Sequence, residues 1–134
     1  MKKFILYFSV LLFSGILFFS GCSKNNPEPS PSDPRQQYLG SWGVTETTTK
    51  NYYTATISAD PNSSDGVFIN NFAASTVQAH AVVSGNSITV TNQQLNNGWI
   101  VSGSGTYLSS KITWTYSIND GANLTNYIAI FTKL

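Results

Sequence analysis

Residues 112–118 read Ile112-Thr113-Trp114-Thr115-Tyr116-Ser117-Ile118. Large apolar or aromatic side chains occupy every second position, with a small polar one between each pair. Successive side chains on a strand point to opposite faces, so a period of two describes a strand with one buried face and one wet face. One-sided burial is the mark of antiparallel sheets, because parallel sheets are covered on both sides.

The same period extends in both directions from this segment. Trp42 and Val44 alternate with Ser41, Gly43 and Thr45. Tyr53, Ala55 and Ile57 repeat the pattern, as do Val67 and Ile69, then Val77, Ala79, Ala81 and Val83. Ile88 and Val90 follow, and Tyr127, Ala129 and Phe131 close the chain. Turn chemistry separates the runs. Pro61 to Gly66 is a polar loop, Gly85-Asn86 suits a tight hairpin, and Asn96-Asn97-Gly98 and Asn119-Asp120-Gly121 are further turns. Ser109-Ser110 turns one more hairpin. Seven or eight strands joined by short links predict an all-β fold, a small antiparallel up-and-down barrel, with a small β-sandwich as the alternative.

Composition agrees with that reading. Only 10% of residues are charged and 13% are aromatic, which suits pleated faces more than helices. Removing Lys2 and Lys3 with the first segment leaves five basic residues against six acidic ones, a net charge of −1. Without a basic patch to neutralise phosphates, nucleic acid is not an expected partner.

The first segment reads as an address. Lys2 and Lys3 precede an apolar run, Phe4 to Phe19, that is shorter than the ~20 residues a spanning helix needs. Small Ser20 and Gly21 then precede Cys22, the single cysteine. From Ser23 to Gln37 the chain carries Pro27, Pro29, Pro31 and Pro34 and no apolar side chain that could build a core. Such a stretch is expected to be an extended, disordered spacer. The boundaries are therefore residues 1–21 for a signal segment, 22–37 for Cys22 and its tether, and 38–134 for the domain.

Phe19-Ser20-Gly21-Cys22 resembles the lipobox of bacterial lipoproteins, with Phe19 where that family usually has Leu. The resemblance implies cleavage between Gly21 and Cys22 and acylation of Cys22, making membrane lipid a partner. Ser23, rather than Asp, implies the outer membrane of a Gram-negative envelope. A second resemblance concerns the domain. Gly40-Ser41-Trp42 at the opening of the first strand is similar to the Gly-x-Trp of lipocalins and related calycin barrels. It implies that Trp42 plugs one barrel end beneath a basic residue of the last strand, for which Lys133 is placed, although that family more often uses Arg. A cation over an indole face has its own physical basis.

The inventory of reactive groups argues against catalysis. Asp60, Asp65 and Asp120 lie in turns, where local hydrogen bonding explains them. His80, the only histidine, is expected on the outer face, and one His with no free Cys assembles neither a zinc site nor a nucleophilic triad. No metal or cofactor is expected. Gly103-Ser104-Gly105 precedes no helix and reads as a bend or bulge in a strand. Glu46 shares the side of Trp42 and Val44. The cost of burying an unpaired carboxylate favours a strand-end position in solvent over a place inside the barrel.

Two kinds of function follow. One is a lipocalin-like domain that binds a small apolar or amphipathic ligand, with Trp114, Tyr116, Ile118, Ala79, Ala81 and Glu46 as wall residues. The other is a non-catalytic adhesion, scaffold or glycan-binding module, for which one of the neighbours Tyr52 and Tyr53 must face outward. Small Ala79 and Ala81 suit a cavity, whereas an interior packed with Trp and Tyr suits the second class. Oligomeric state is left open by the sequence.

Overall fold

The computed structural model describes residues 32–134. Their strands are β1 (Gly40–Glu46), β2 (Asn51–Ala59), β3 (Gly66–Asn70), β4 (Gln78–Ser84), β5 (Ser87–Gln94), β6 (Ile100–Leu108), β7 (Lys111–Asn119) and β8 (Leu124–Lys133). Each strand pairs antiparallel with the next, and β8 returns to β1 through the register Trp42↔Lys133 to Glu46↔Ala129. The result is a closed eight-stranded up-and-down barrel with no free sheet edge. Cys22, Gly21 and the signal segment lie outside the described residues.

The up-and-down order sorts the links into two ends. Links β2–β3, β4–β5 and β6–β7 lie at one end, together with the residues that precede β1 and follow β8. Links β1–β2, β3–β4, β5–β6 and β7–β8 lie at the other, called the mouth below.

At the first end the chain is tied down before β1 begins. Arg35 donates from Nη1 to the carbonyl oxygens of Asp60 (2.9 Å) and Ser63 (2.5 Å), and it pairs with Asp33 at 2.7 Å. Gln37 Nε2 and the Tyr38 hydroxyl both donate to Gly85 O, at 2.7 and 2.8 Å. Ser32–Gln37, expected within the disordered tether, thus form turns docked on two hairpins. Proline density suggested an extended, disordered backbone; it did not reveal that Arg35 would tie these residues to the carbonyls of the β2–β3 loop. Trp42 is fully buried at this end, donates from Nε1 to Tyr38 O at 2.7 Å, and carries Lys133 Nζ 4.6 Å from its ring centroid.

The interior is filled. Trp42, Trp114, Tyr116, Phe72, Phe131 and Ile112 are among its largest fully buried side chains. Gly103 and Gly105 explain how so many rings fit. Gly105 pairs with Trp114 and Gly103 with Tyr116 across β6 and β7. A Cβ on Gly105 would stand 2.9 Å from Trp114 Cδ2, and one on Gly103 would stand 2.7 Å from Thr115 O. Gly105 clears space for the Trp114 indole, and Gly103 lets the β7 backbone at Thr115 and Tyr116 come close. The register shift of this region falls on β5 instead, between Val90 and Gln93. Where the β4–β5 ladder lapses, the Gln93 side chain replaces it: it accepts from His80 N (2.9 Å) and donates to His80 O (2.7 Å). Both backbone groups are thereby satisfied.

Candidate functional site

The mouth is plugged by a loop rather than left open. Between β3 and β4, Phe72 points inward and is fully buried, with its ring centroid 5.0 Å from Tyr116 and 5.9 Å from Trp114. Holding it there takes an unusual backbone. Asn71, Ala73, Ala74 and Thr76 all have positive φ, between 54° and 61°. Asn tolerates that region, but each of the others costs about 1–2 kcal/mol. The conformation is held by Asn71, whose Nδ2 donates to Thr54 O (2.8 Å) and whose Oδ1 accepts from Thr76 N (2.9 Å).

Beside this plug lies a cup of about 360 Å³, open to solvent, lined by Glu46, Thr49, Lys50, Asn51, Ala73, Trp99, Ile118 and Tyr127. The hairpin β1–β2 supplies its polar side; Lys50 has positive φ of 58° in that turn. The β5–β6 link supplies Trp99, fixed by Leu95 N donating to Trp99 O at 2.7 Å. Tyr127 from β8 lies parallel on Tyr116, with centroids 5.3 Å apart and an interplanar angle of 17°.

Glu46 forms the floor of the cup and is only 5% exposed. The expectation of a solvated strand end is therefore corrected. Its carboxylate accepts from the Tyr116 hydroxyl through Oε1 and from the Thr49 hydroxyl through Oε2. Two donors offset the cost that an unpaired buried carboxylate would carry. Burial is the first cause that raises the Tyr116 phenol above its ordinary value, followed by the neighbouring Tyr53 and then the bond to Glu46. Tyr53 is pushed up to about 12, chiefly by burial. Its hydroxyl lies beside Tyr116 and the backbone of Ala73 and Ala74 but makes no hydrogen bond of good geometry.

The residues expected to form a cavity wall do face inward, but most line no space. Trp114 and Ala79 have no accessible surface, Ala81 has 1% and Tyr116 has 2%. A side chain bordering a water-sized void would keep area exposed to it, so these four are packing. Only Glu46 and Ile118 of that set line the cup. Thr49, Lys50, Asn51 and Ala73 were missed as site residues, and Trp99 and Tyr127 read from sequence as aromatics whose default is core, with ligand lining only the alternative. Trp99 sits in a turn, outside any strand period, and nothing local to the turn shows which end of a barrel it joins.

The remaining candidates are structural. His80 projects from the outer side of β4, with Nε2 3.2 Å from Asp60 Oδ2, and its ring meets Phe68 edge-on. Asp60 also caps its own loop by accepting from Asn62 N at 2.9 Å, and Asp120 accepts from Ala122 N and Asn123 N. Tyr52 faces outward at 67% exposure, away from the cup. Among the described residues no three His, Cys, Asp or Glu side chains converge to hold a metal.

Compared with known proteins, the chain matches no family model, no curated protein and no solved structure.

Proposed function

We propose that this protein is a lipid-anchored, non-catalytic binding module of the cell envelope, held through Cys22, that takes its ligand at the mouth of the barrel. The observation that carries this reading is the filled interior beside an open cup. Ala79, Ala81 and Trp114 leave no room for an enclosed ligand, while aromatic and hydrogen-bonding side chains converge at the cup. The chain enters the barrel at the opposite end, through Ser32–Leu39 and the Arg35 contacts. Glu46 is the one carboxylate lining the cup, and the Tyr116 and Thr49 hydroxyls that donate to its two oxygens fix its position there.

Two experiments test the parts. Cys22→Ala abolishes incorporation of labelled fatty acid; label that persists overturns the anchor. Native mass spectrometry of protein from the envelope of its native host reports the binding reading. A bound mass lost on Trp99→Ala but kept on Tyr52→Ala supports the mouth. A bound mass insensitive to Trp99→Ala contradicts it.

One observation favours a second reading, in which an apolar or amphipathic ligand enters the barrel. Trp114 Nε1 and the Tyr53 hydroxyl are buried without partners, and Phe72 stands beside Trp114. A ligand that displaces Phe72 and carries an oxygen acceptor would satisfy these donors and relieve the strained loop. Phe72→Ala then raises affinity for such a ligand. Unchanged affinity removes this reading.

A further inference from the structure

The cup differs from an apolar ligand site in its charge and hydrogen-bonding chemistry. Two formally charged residues line it, Glu46 and Lys50, so its charges balance. A cup with that balance has no electrostatic preference for an anion or a cation. The Glu46 carboxylate offers roughly four acceptor positions, of which Tyr116 and Thr49 occupy two. Glu46 remains part of the lining, so its unused positions are available to a ligand's donors. Asn51, exposed at the rim of the same cup, adds an amide with both donors and an acceptor. An alkyl chain laid here would strip water from Glu46 and return no hydrogen bond, an unfavourable exchange.

Aromatic faces stand beside these polar groups. Trp99 is half-buried and Tyr127 is braced from below by stacking on Tyr116. A ring with hydroxyls at its edge and C–H bonds on its face matches both features at once. The volume, about 360 Å³, lies near the low end of the ~300–1,000 Å³ common for small-molecule sites.

We infer that the cup binds a neutral sugar ring, stacked on Trp99 and Tyr127 and hydrogen-bonded through its hydroxyls to Glu46 and Asn51. This inference rests on the proposal that the mouth is the binding site. A neutral ligand also fixes the salt response, because no charge pair with the ligand is there to be screened.

The test is calorimetric titration of the full chain, held in a sugar-free detergent, with cellotriose, maltotriose and the trimer of N-acetylglucosamine. Saturable binding of at least one is expected, with affinity changing less than about twofold between ~0.02 and ~0.5 M salt. Trp99→Ala is expected to weaken it about tenfold, Asn51→Ala about fivefold, and Tyr52→Ala not at all. Unchanged thermal melting of the Asn51 variant separates lost contact from lost fold. Absence of saturable binding by all three sugars, or a steep fall with salt, overturns the sugar assignment. The mouth itself is read separately, from the change in tryptophan emission on adding a whole-envelope extract. A change abolished by Trp99→Phe keeps the mouth as the site even when the sugars fail. A change that survives Trp99→Phe overturns the mouth as well.

Discussion

Gly105→Ala distinguishes a filled barrel from a hollow one by the sign of its effect. In a strand bordering free space, replacing glycine with alanine stabilises by about 0.5–1 kcal/mol, because the unfolded chain loses freedom. The interior here has no such space. The added Cβ would lie 2.7 Å from Ile112 Cγ2 and 2.9 Å from both Trp114 Cδ2 and Cε2. None of these atoms ends a flexible side chain: one is a β-branched methyl and two belong to a rigid indole. Trp114 is itself confined by Phe131, 5.7 Å away between centroids, and by Phe72 at 5.9 Å. Overpacking of this kind costs about 1–3 kcal/mol. For a domain of this size that lowers the melting temperature by about 4–20 °C. Calorimetry or far-ultraviolet circular dichroism of the variant and parent under identical conditions measures it. Gly103→Ala is expected to be worse, because its new Cβ meets backbone, with Thr115 O and Tyr116 Cα both at 2.7 Å. An unchanged or raised melting temperature for Gly105→Ala would refute the filled interior.

Three further outcomes are expected. Arg35→Ala lowers the melting temperature, since it frees the loop carbonyls of Asp60 and Ser63; a melting curve that matches the parent would return residues 32–37 to the tether. Gln93→Ala costs about 1–3 kcal/mol in denaturant unfolding, because His80 N and O lose their substitute ladder partner, whereas a neutral result would mean that water serves them equally well. Stability is expected to fall in alkali. Tyr53 has its folded-state value raised from 10.0 to about 12, so its contribution is complete below pH 10 and is lost as pH rises toward 12. Denaturant midpoints that are equal at ~pH 9 and ~pH 11.5 would show that this phenol is not shielded.

The strands were legible because burial on one side of a sheet writes itself into a period of two. Ile112 to Ile118 has the burial that period predicts, with its four apolar side chains inward. Closure was only one of two options, since period does not encode curvature. It comes from the β1–β8 register, a contact between the two ends of the domain. The site was less legible for the same reason. Glu46 is buried because Tyr116, a residue of β7, supplies a hydroxyl to it, and no pattern around Glu46 announces that partner. Phe72 lies in a loop whose positive φ values come from Asn, Ala and Thr, not from the glycines that usually mark such turns. Inward direction was read correctly for Ala79 and Ala81, but whether inward means cavity or core depends on the rings opposite them.

The three tryptophans stand at three levels of the barrel, which gives the account its most direct test. Trp42 is buried at the end where the chain enters, Trp114 is buried in the interior, and Trp99 lines the cup. Fluorotryptophan incorporated at all three gives three ¹⁹F resonances, assignable by single Trp→Phe variants. The measurement is their response to titration with an extract of the native host's envelope. Recognition at the mouth predicts that the Trp99 resonance moves saturably while Trp42 and Trp114 stay in place. Movement of the Trp114 resonance with Trp99 unmoved would put the ligand inside the barrel and contradict the account.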